Sequence, residues 1–341
     1  MNINKVLIVG GGTAGWMSAC TLAHHWQSKS VEIVLVESAN VGTIGVGEGS
    51  TPFLRDFFTR LGICESVWMP ACDATYKCGI DFPGWSNNHD ASYFHPFYGE
   101  IDSEGAIDFF NSCQQKREGF DTSSHPDDYF ISQYLAKQHK SPYTSDGKTH
   151  GVDYGYHFDA YKLGRFLAQH AKSLGVTHIQ DDITSVAHTS AGIQSVMTQH
   201  HGKLDADLFV DCSGLKGLLI QQTLGEKLIS YQQYLPNNAA VAISTGVQCA
   251  KNLGTYTLSK GLEHGWMWSI PLQSRVGNGY VYSRAHINKN QAEARLRDVL
   301  GEYDTPALHI SWQPGRISQH WKQNCLAVGL SQGFLEPLEA P

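Results

Sequence analysis

Three glycines near the start of the chain have the spacing G-x-G-x-x-G, in the segment Gly10-Gly11-Gly12-Thr13-Ala14-Gly15. An apolar run at residues 5–10 leads into them, and residues 13–26 carry apolar side chains at helical spacing. In such a strand-turn-helix the glycines permit a tight turn, a close approach to a pyrophosphate and close helix–strand packing. The helix N-terminus then faces the phosphate charge. The predicted dinucleotide-binding residues of this turn are Gly10, Gly12, Thr13, Ala14 and Gly15.

A carboxylate ends the next apolar run. The run covers residues 31–36, and Glu37 follows it, 22 residues after Gly15. A carboxylate at this position can accept hydrogen bonds from the ribose hydroxyls and would repel a 2′-phosphate. The sequence contains one G-x-G-x-x-G, so we expect no second dinucleotide site for NAD(P)H.

Composition and charge exclude several classes of partner. The 341 residues carry a net charge of −7 and no Lys/Arg-rich run, so we expect no nucleic acid partner. We find no signal-peptide profile and no apolar run that could cross a bilayer, so we expect no membrane association. The eight cysteines form no C-x-x-C pair and the 17 histidines no H-E-x-x-H. This pattern predicts reduced thiols in a cytoplasmic protein and no metal site.

The elements that position these residues follow from apolar periodicity. The first 36 residues predict strand, turn, helix and strand, the unit from which parallel sheets are built. Residues 63–155, rich in aromatic and polar side chains, give no clear pattern outside one helix. The further predicted helices are Pro52 to about Leu61, Asp127–His139, Asp159 to about Leu174 and Lys289–Tyr303, and the further predicted strands are the hairpin 183–199, Ala206–Gly214, 239–247 and 279–284.

A second motif indicates which dinucleotide binds. The segment Asp211-Cys212-Ser213-Gly214 follows an apolar strand and resembles the Asp-Gly flavin motif of p-hydroxybenzoate-hydroxylase-type flavoproteins. In those folds the aspartate lies near the ribityl chain, and a β excursion occupies the place of the hairpin 183–199. The resemblance implies FAD as the cofactor, with Asp211 and Gly214 among its binding residues.

We therefore predict an α/β protein: a Rossmann-type FAD-binding fold with a β-rich substrate-facing layer inserted between the FAD-binding segments. We expect these parts to form one domain over residues 1–341. The predicted FAD-binding segments are about 1–55, 156–225 and 315–341, and the predicted substrate-facing segments are about 56–155 and 226–314.

Further segments of the chain resemble the flavin-dependent tryptophan halogenase family, and the resemblance covers essentially the whole chain. One segment has the family signature W-x-W-x-I-P, and another is similar to its glycine-rich loop G-V-G-E-[AG]-T-x-P. The remaining ones match the segments of its catalytic lysine, its substrate-stacking His and Phe, and its E-P-L-E motif. In that order they are Gly265–Pro271, Ile44–Pro52, Asp73–Ile80, His95–Phe97 and Phe334–Glu339.

The resemblance assigns a role to each matching position. Lys77 corresponds to the catalytic lysine, and Glu339 corresponds to the second glutamate of E-P-L-E, which assists the chemistry. The substrate-binding residues would be His95, Phe97 and Pro52. The residues of the loop that straps the flavin would be Val46, Gly47 and Glu48. The residues that shield the flavin from organic substrate, yet leave room for small species, would be Trp266, Trp268, Ile270 and Pro271.

The activity implied by the resemblance is halogenation of an arene such as tryptophan or another indole. Reduced FAD, O2 and chloride or bromide would give hypohalous acid, which Lys77 relays to the substrate. A separate NAD(P)H-dependent flavin reductase would supply the reduced FAD, and a homodimer is one expected assembly. Two other functions stay open: an aromatic monooxygenase that reduces its own flavin with NAD(P)H, and a non-enzymatic flavoprotein.

The chain departs from the family at its C-terminal end. The family commonly continues E-P-L-E with Ser-Thr, whereas this sequence has Ala340-Pro341. The backbone just beyond that motif helps to hold chloride in the family, so the halide site cannot be assigned. The family's C-terminal helical part is absent, and we expect the chain to be a shortened or excised portion of such an enzyme.

Overall fold

The computed structural model describes residues 3–42, 45, 47–87, 91–247, 253–336 and 338. The chain forms two compact units, each assembled from separate stretches of sequence. The first unit comprises Met1–Gly45, Ala160–Pro236 and Trp312–Glu336, and the second comprises Val46–Asp159, Asn237–Ser311 and Pro337–Pro341. The expectation of a single domain with the segment limits given above stays a prediction.

The described residues form seven α-helices and 22 β-strands, together with short 3₁₀ and π turns. The α-helices are α1 Thr13–His25, α2 Phe53–Arg60, α3 Glu65–Ala71, α4 Ser103–Arg117, α5 Ile131–Lys137, α6 Ala160–Ser173 and α7 Lys289–Leu300. The strands are β1 Lys5–Val9, β2 Glu32–Glu37, β3 Glu48–Gly49, β4 Thr75–Lys77, β5 Gly79–Pro83, β6 Ser92–Pro96, β7 Gly155–Phe158, β8 Thr177–Gln180, β9 Ile183–Thr189, β10 Gly192–Thr198, β11 Lys203–Asp205, β12 Leu208–Asp211, β13 Leu228–Ser230, β14 Ala239–Gly246, β15 Thr257–Leu262, β16 Gly265–Pro271, β17 Arg275–Tyr282, β18 Leu308–Ser311, β19 Gly315–Ile317, β20 Trp321–Lys322, β21 Cys325–Ala327 and β22 Gly333–Phe334.

The first unit is built on a six-stranded sheet with the order β20-β21-β12-β1-β2-β8. The strands from β21 to β8 are parallel to their neighbours, and β20 joins β21 in the antiparallel sense. Parallel strands with apolar side chains on both faces are typical of α/β sheets. Leu7, Val34 and Phe209 accordingly lie fully within the core of this unit. Two three-stranded sheets, β11-β10-β9 and β13-β19-β22, complete the unit.

The second unit contains a seven-stranded sheet with the order β18-β14-β17-β16-β15-β5-β6. Neighbouring strands are antiparallel except β15 and β5, which are parallel. One face packs against α7, where Met267 and Tyr280 contact a cluster that includes Leu296. A three-stranded sheet, β3-β7-β4, carries the lysine segment. The opposite face of the seven-stranded sheet carries the tryptophan signature, as described below.

The predicted α/β fold with a Rossmann-type sheet and a β-rich second part is confirmed. Some boundaries were wrong. The helix predicted for Asp127–His139 is a 3₁₀ turn at Pro126–Asp128 followed by the shorter α5. The strand predicted to begin at residue 279 begins at Arg275, because glycines at 277 and 279 hide its alternation.

Candidate active site

The glycine turn of the first unit is fixed by the chain around it. Gly10 has a φ of +112°, and a Cβ there would lie 2.2 Å from the carbonyl oxygen of Cys212. A Cβ on Gly15 would lie 1.9 Å from the carbonyl oxygen of Gly10. Both positions therefore need glycine for the fold itself, at the place where β1, α1 and the end of β12 meet.

At position 12, neither the backbone conformation nor the packing of the chain requires glycine. It stands at the N-cap of α1 with φ −72° and ψ −176°, an extended conformation open to any residue. A Cβ there would have no heavy atom within 4 Å. Gly12 makes no side-chain capping hydrogen bond to this 13-residue helix, whose first N–H groups have no partner within the helix. This geometry fits the pyrophosphate of a dinucleotide.

Glu37 lies where β2 ends, directly beside the turn. Its Oε2 is so close to Gly11 that a Cβ on that residue would lie 1.6 Å away. Oε1 of Glu37 is 2.7 Å from Nε2 of His178 on β8, and the His178 ring makes an edge contact with Trp16. The carboxylate is thus oriented by a histidine that the sequence analysis missed, with Oε2 directed to the glycine turn at Gly11. The strand register indicates this contact, because Leu35 pairs with His178 and Glu37, two residues later, lies on the same face of β2.

Asp211 is fully buried at the end of β12, and its carboxylate is committed to the following turn. Oδ1 accepts from the backbone N–H of Ser213 at 3.0 Å and from its hydroxyl at 2.6 Å. Oδ2 accepts from the N–H groups of Leu219 and Ile220 at 2.8 and 2.9 Å. Gly214 in this turn has a φ of +72°. Asp211 therefore shapes the turn that a ribityl chain would approach.

The glycine-rich loop reaches the signature strand within the second unit. Gly47 has a φ of +91°, and its Cβ position lies 3.5 Å from Cγ2 of Ile270. Burial, and secondarily the carboxylate of Asp159, raise the pKa of Glu48 to about 7. Asp159 is itself paired with Arg275, at 2.9 Å. Pro52 stands at the N-cap of α2.

Lys77 is fully buried, with 0% of its surface exposed. It ends β4 and pairs with Gly155 of β7. Its Nζ lies 5.4 Å from the centroid of the Phe97 ring, a cation–π distance. Lysine is almost never fully buried unless its charge is paired. The structure thus brings two of the predicted site residues, Lys77 and Phe97, together in one core.

His157 forms a hydrogen-bonded hub beside this lysine. Thr75 donates to the carbonyl oxygen of Pro271 at 2.6 Å, so its oxygen accepts from Nδ1 of His157 at 3.1 Å. Nε2 of the ring then accepts from the hydroxyl of Thr257 at 2.9 Å. Burial, and secondarily the charge of Lys77, hold the pKa of His157 well below its usual value. The histidine is therefore neutral and links β4, β15 and the end of the signature strand.

The W-x-W-x-I-P signature forms β16, in which Trp266, Trp268 and Ile270 alternate onto one face. The two indoles are 6.2 Å apart. The Trp268 ring lies across Gly279 of β17, where a Cβ would stand 2.1 Å from the indole. Pro271 ends the strand and accepts the hydrogen bond from Thr75. The signature thus builds a buried indole wall with a glycine beneath it.

Register places His95 on the same sheet face as this wall. His95 is opposite Ile80, Ile80 is opposite Thr257, and Thr257 lies in line with Ile270. Directly opposed residues in a sheet present their side chains to the same face. His95 is exposed and contacts the edge of Phe82. It lines an aromatic cleft, whereas Phe97 turns to Lys77.

Two predicted site residues, Val46 and Glu339, lie outside the described residues. Among the residues that the structure describes, no group of three or more His, Cys, Asp or Glu side chains could hold a metal ion. Within the same residues, no helix has the length and apolar character needed to span a membrane.

Comparison with known proteins gives a consistent family. The family described as Tryptophan halogenase matches residues 5–341. Tryptophan 6-halogenase SttH of Streptomyces toxytricini is 38% identical over 367 residues, which cover 99% of this chain and 69% of that protein. Tryptophan 7-halogenase RebH of Lentzea aerocolonigenes is 34% identical, over 99% of this chain and 67% of the relative.

Solved structures agree with the sequence matches. The crystal structure of SttH superposes with a TM-score of 0.90 at 37% identity, covering 99% of this chain and 70% of that one. The flavin-dependent halogenase BrvH of Brevundimonas sp. BAL3 gives a TM-score of 0.87 at 35% identity, with 99% and 68% covered. The glycine turn, the buried lysine and the indole wall are therefore set in a known enzyme fold, and the chain belongs to the tryptophan halogenase family of flavin-dependent halogenases.

Proposed function

We propose that this enzyme uses reduced FAD, O2 and chloride or bromide to halogenate an aromatic substrate such as tryptophan or another indole, with Lys77 as the halogen relay. One observation carries the proposal: a fully buried lysine whose Nζ lies 5.4 Å from the centroid of an aromatic ring, that of Phe97. The names of the relatives, tryptophan 6- and 7-halogenases, support an indole as the substrate.

The cofactor-binding role belongs to the first unit. The open N-terminus of α1 at Gly12 would hold the pyrophosphate, with Thr13 and Ala14 in its first turn. Glu37, oriented by His178, would accept from the ribose hydroxyls, and Asp211 would keep the neighbouring turn in shape. From the second unit, Val46, Gly47 and Glu48 would form the strap. Bound and reduced, FAD supplies the electrons with which O2 and halide give hypohalous acid.

Lys77 can deliver the halogen in two ways. As an amine it forms an N–halogen bond, and the hydroxyl of the hypohalous acid leaves with an amine proton as water. As an ammonium it donates a hydrogen bond to the oxygen of the acid and polarises the O–halogen bond. In the first case the arene carbon forms its bond to halogen as the N–halogen bond breaks, and the nitrogen regains a proton to become the amine again. In the second case the O–halogen bond breaks, and the hydroxide takes the ammonium proton and leaves as water. We propose that Glu339 then takes the ring proton.

The surrounding side chains would sort the reactants by size. Trp266, Trp268, Ile270 and Pro271 would keep an arene away from the flavin and let the small acid pass. His95, Phe97 and Pro52 would contact the arene. We further propose a separate NAD(P)H-dependent flavin reductase as the source of reduced FAD. A homodimer and a cytoplasmic location stay predictions.

The test replaces the lysine. We expect Lys77→Ala to abolish the halogenated product, measured by mass spectrometry with tryptophan and indole, while photoreduced FAD is still reoxidised by O2. Lys77→Arg should fail as well, because arginine stays protonated and differs in shape. Glu339→Gln should slow product formation about 10²–10⁴-fold. The matched control is Lys148→Ala, an exposed lysine of the same unit.

Normal product formation by Lys77→Ala would contradict the relay. The monooxygenase alternative, which family membership disfavours, would instead give a hydroxylated arene in the wild type. Because both products differ from the substrate by characteristic masses, one experiment separates the two reactions.

A further inference from the structure

A cluster of four tyrosines in the second unit shares one carboxylate, that of Glu65 in α3. Oε1 of this carboxylate accepts from the hydroxyls of Tyr154 at 2.8 Å and Tyr156 at 2.5 Å. Oε2 accepts from the hydroxyls of Tyr76 at 3.1 Å and Tyr143 at 3.3 Å. Because side chains alternate along β4, Tyr76 leaves the face opposite to the one that carries the buried lysine. The proposed halogenation assigns no role to any of these groups.

The four rings differ in how a reagent from solvent can reach them. Tyr154 is 1% and Tyr156 0% exposed, and the guanidinium of Arg55 lies 4.9 Å from the centroid of the Tyr154 ring. Tyr76 is half-buried, but the rings of the other three tyrosines surround it at centroid distances of 5.5 to 6.2 Å. Tyr143 is half-buried at the start of a turn whose residues 145–149 are exposed. A small reagent therefore reaches the cluster first at Tyr143.

The phenol of Tyr143 has two routes for its proton. Its oxygen donates directly to Oε2 of Glu65, and it also lies 2.5 Å from the oxygen of Tyr154. Since the Tyr154 hydroxyl donates onward to Oε1, Tyr143 is the donor in that contact. A phenol ring that is attacked by an electrophile gains positive charge, and its O–H becomes strongly acidic. A base that takes this proton as the charge develops lowers the barrier.

We propose that Tyr143 is a self-halogenation site, where hypohalous acid that meets no arene substrate halogenates the phenol ring with Glu65 as the base. The ring carbon next to the hydroxyl-bearing carbon forms its bond to halogen as the O–halogen bond of the acid breaks, and Glu65 takes the phenolic proton. The released hydroxide then takes the proton of the attacked ring carbon and leaves as water, and the phenol oxygen recovers its proton from Glu65. The site rests on the proposed function for the source of the acid.

The first experiment supplies the acid directly to the flavin-free full chain. Hypobromous acid is added, and the bromine at each tyrosine is measured by peptide mass spectrometry. Thiols and thioethers consume the first equivalents, so the tyrosines are compared with one another. The matched control is Tyr234 of the first unit, which is 73% exposed. Exposure alone favours Tyr234, but we expect about tenfold more bromine at Tyr143, because a positioned base contributes up to about 10²–10⁴-fold.

Two variants test the role of the carboxylate. Glu65→Gln should remove the preference for Tyr143 and leave bromination of Tyr234 unchanged, because a neutral amide takes no proton. Should Glu65→Gln not fold, as judged by circular dichroism, Tyr154→Phe removes the hydroxyl between Tyr143 and Oε1 and should lower the preference severalfold. Equal bromination of Tyr143 and Tyr234 in the wild type, or a preference that survives both variants, would overturn the site.

The second experiment lets the protein make the acid from bromide and O2, with reduced FAD from a flavin reductase and no arene. We expect bromine at Tyr143, and less of it when tryptophan is added. Bromination of Tyr143 by added acid but by no turnover mixture, with tryptophan also unchanged, would support the reactive site and overturn the proposed function. Halogenation of tryptophan with no bromine on Tyr143 in the arene-free reaction would overturn self-halogenation alone.

Discussion

At the scale of single residues, two glycines of one turn differ in what they are for. Gly10 has a left-handed φ and no room for a Cβ, whereas Gly12 has an ordinary φ and open space. The G-x-G-x-x-G pattern predicted both positions but could not separate them, because the distinction depends on the packing of Cys212 against the turn.

This difference gives the first prediction. Gly12→Val should leave the thermal midpoint within about 2 °C of the wild type, as for a change below about 1 kcal/mol, yet abolish FAD retention on gel filtration. Gly10→Ala should lower the midpoint through strain and collision with the backbone of Cys212. A Gly12→Val protein that keeps its flavin would show that the pyrophosphate binds elsewhere.

Glu48 gives a prediction on pH. Its pKa is raised from the usual 4.5 to about 7, so the folded chain binds more protons than the unfolded chain between these values. The protonated form stabilises the fold, and stability from this group falls as pH rises from about 4.5 to about 7. Glu48→Gln should match the wild type near pH 4.5 and melt a few °C higher at pH 8.

The measurement is the thermal midpoint of the flavin-free protein at several pH values. Glu336→Gln provides a carboxylate control in the first unit. Parallel curves for the wild type and Glu48→Gln would show that Glu48 ionises normally in the fold.

At the scale of elements, the strongly patterned segments were predictable and the others were not. The sequence predicted β9 and β10 from their alternation of apolar and polar residues, and it predicted β12 from its apolar run. By contrast, α4 buries only Ala106 among its 15 residues, so it has no apolar stripe to recognise. Strands β4, β5 and β6 are short, and the partner of β4, which is β7, and the second partner of β5, which is β15, are distant in sequence.

The hub at His157 was missed for the same reason, because its partners Thr75 and Thr257 come from two other strands. His157→Leu should leave hydroxyls of both threonines without their histidine partner and cost about 1–3 kcal/mol of unfolding free energy. Thr257→Val, which removes one bond, should cost less. Urea unfolding monitored by tryptophan fluorescence measures both values.

His157 is predicted to change the stability of the fold with pH in the opposite direction to Glu48. The pKa of His157 lies well below 6.5 in the fold, so the unfolded chain binds more protons as pH falls below that value. Stability from this residue is complete above 6.5 and is lost as pH falls below it. His157→Gln, which stays neutral, should lose this dependence. If the stability of the variant still fell below pH 6.5 as it does in the wild type, another group would be the one that titrates.

At the scale of the whole molecule, membership of the tryptophan halogenase family bears on how electrons reach the flavin. We expect the isolated protein to oxidise NADPH at a negligible rate with or without indole, and to reoxidise photoreduced FAD in air. Adding a flavin reductase with NADPH should start product formation. Absorbance at 340 nm follows the first reaction, and substrate-stimulated NADPH loss by the isolated protein would restore the monooxygenase alternative.

The strand order of the first unit has a consequence for how the protein is made. β1 is complete at Val9, but its neighbour β12 begins at Leu208 and the next strand, β21, at Cys325. At ribosomal rates, roughly 10–40 s separate the emergence of β1 from that of β12. Throughout that interval the nascent chain carries an unpaired apolar strand edge, which invites aggregation. The yield of folded protein in heterologous expression should therefore depend more on the supply of chaperones and on the expression temperature than on the stability of the finished fold.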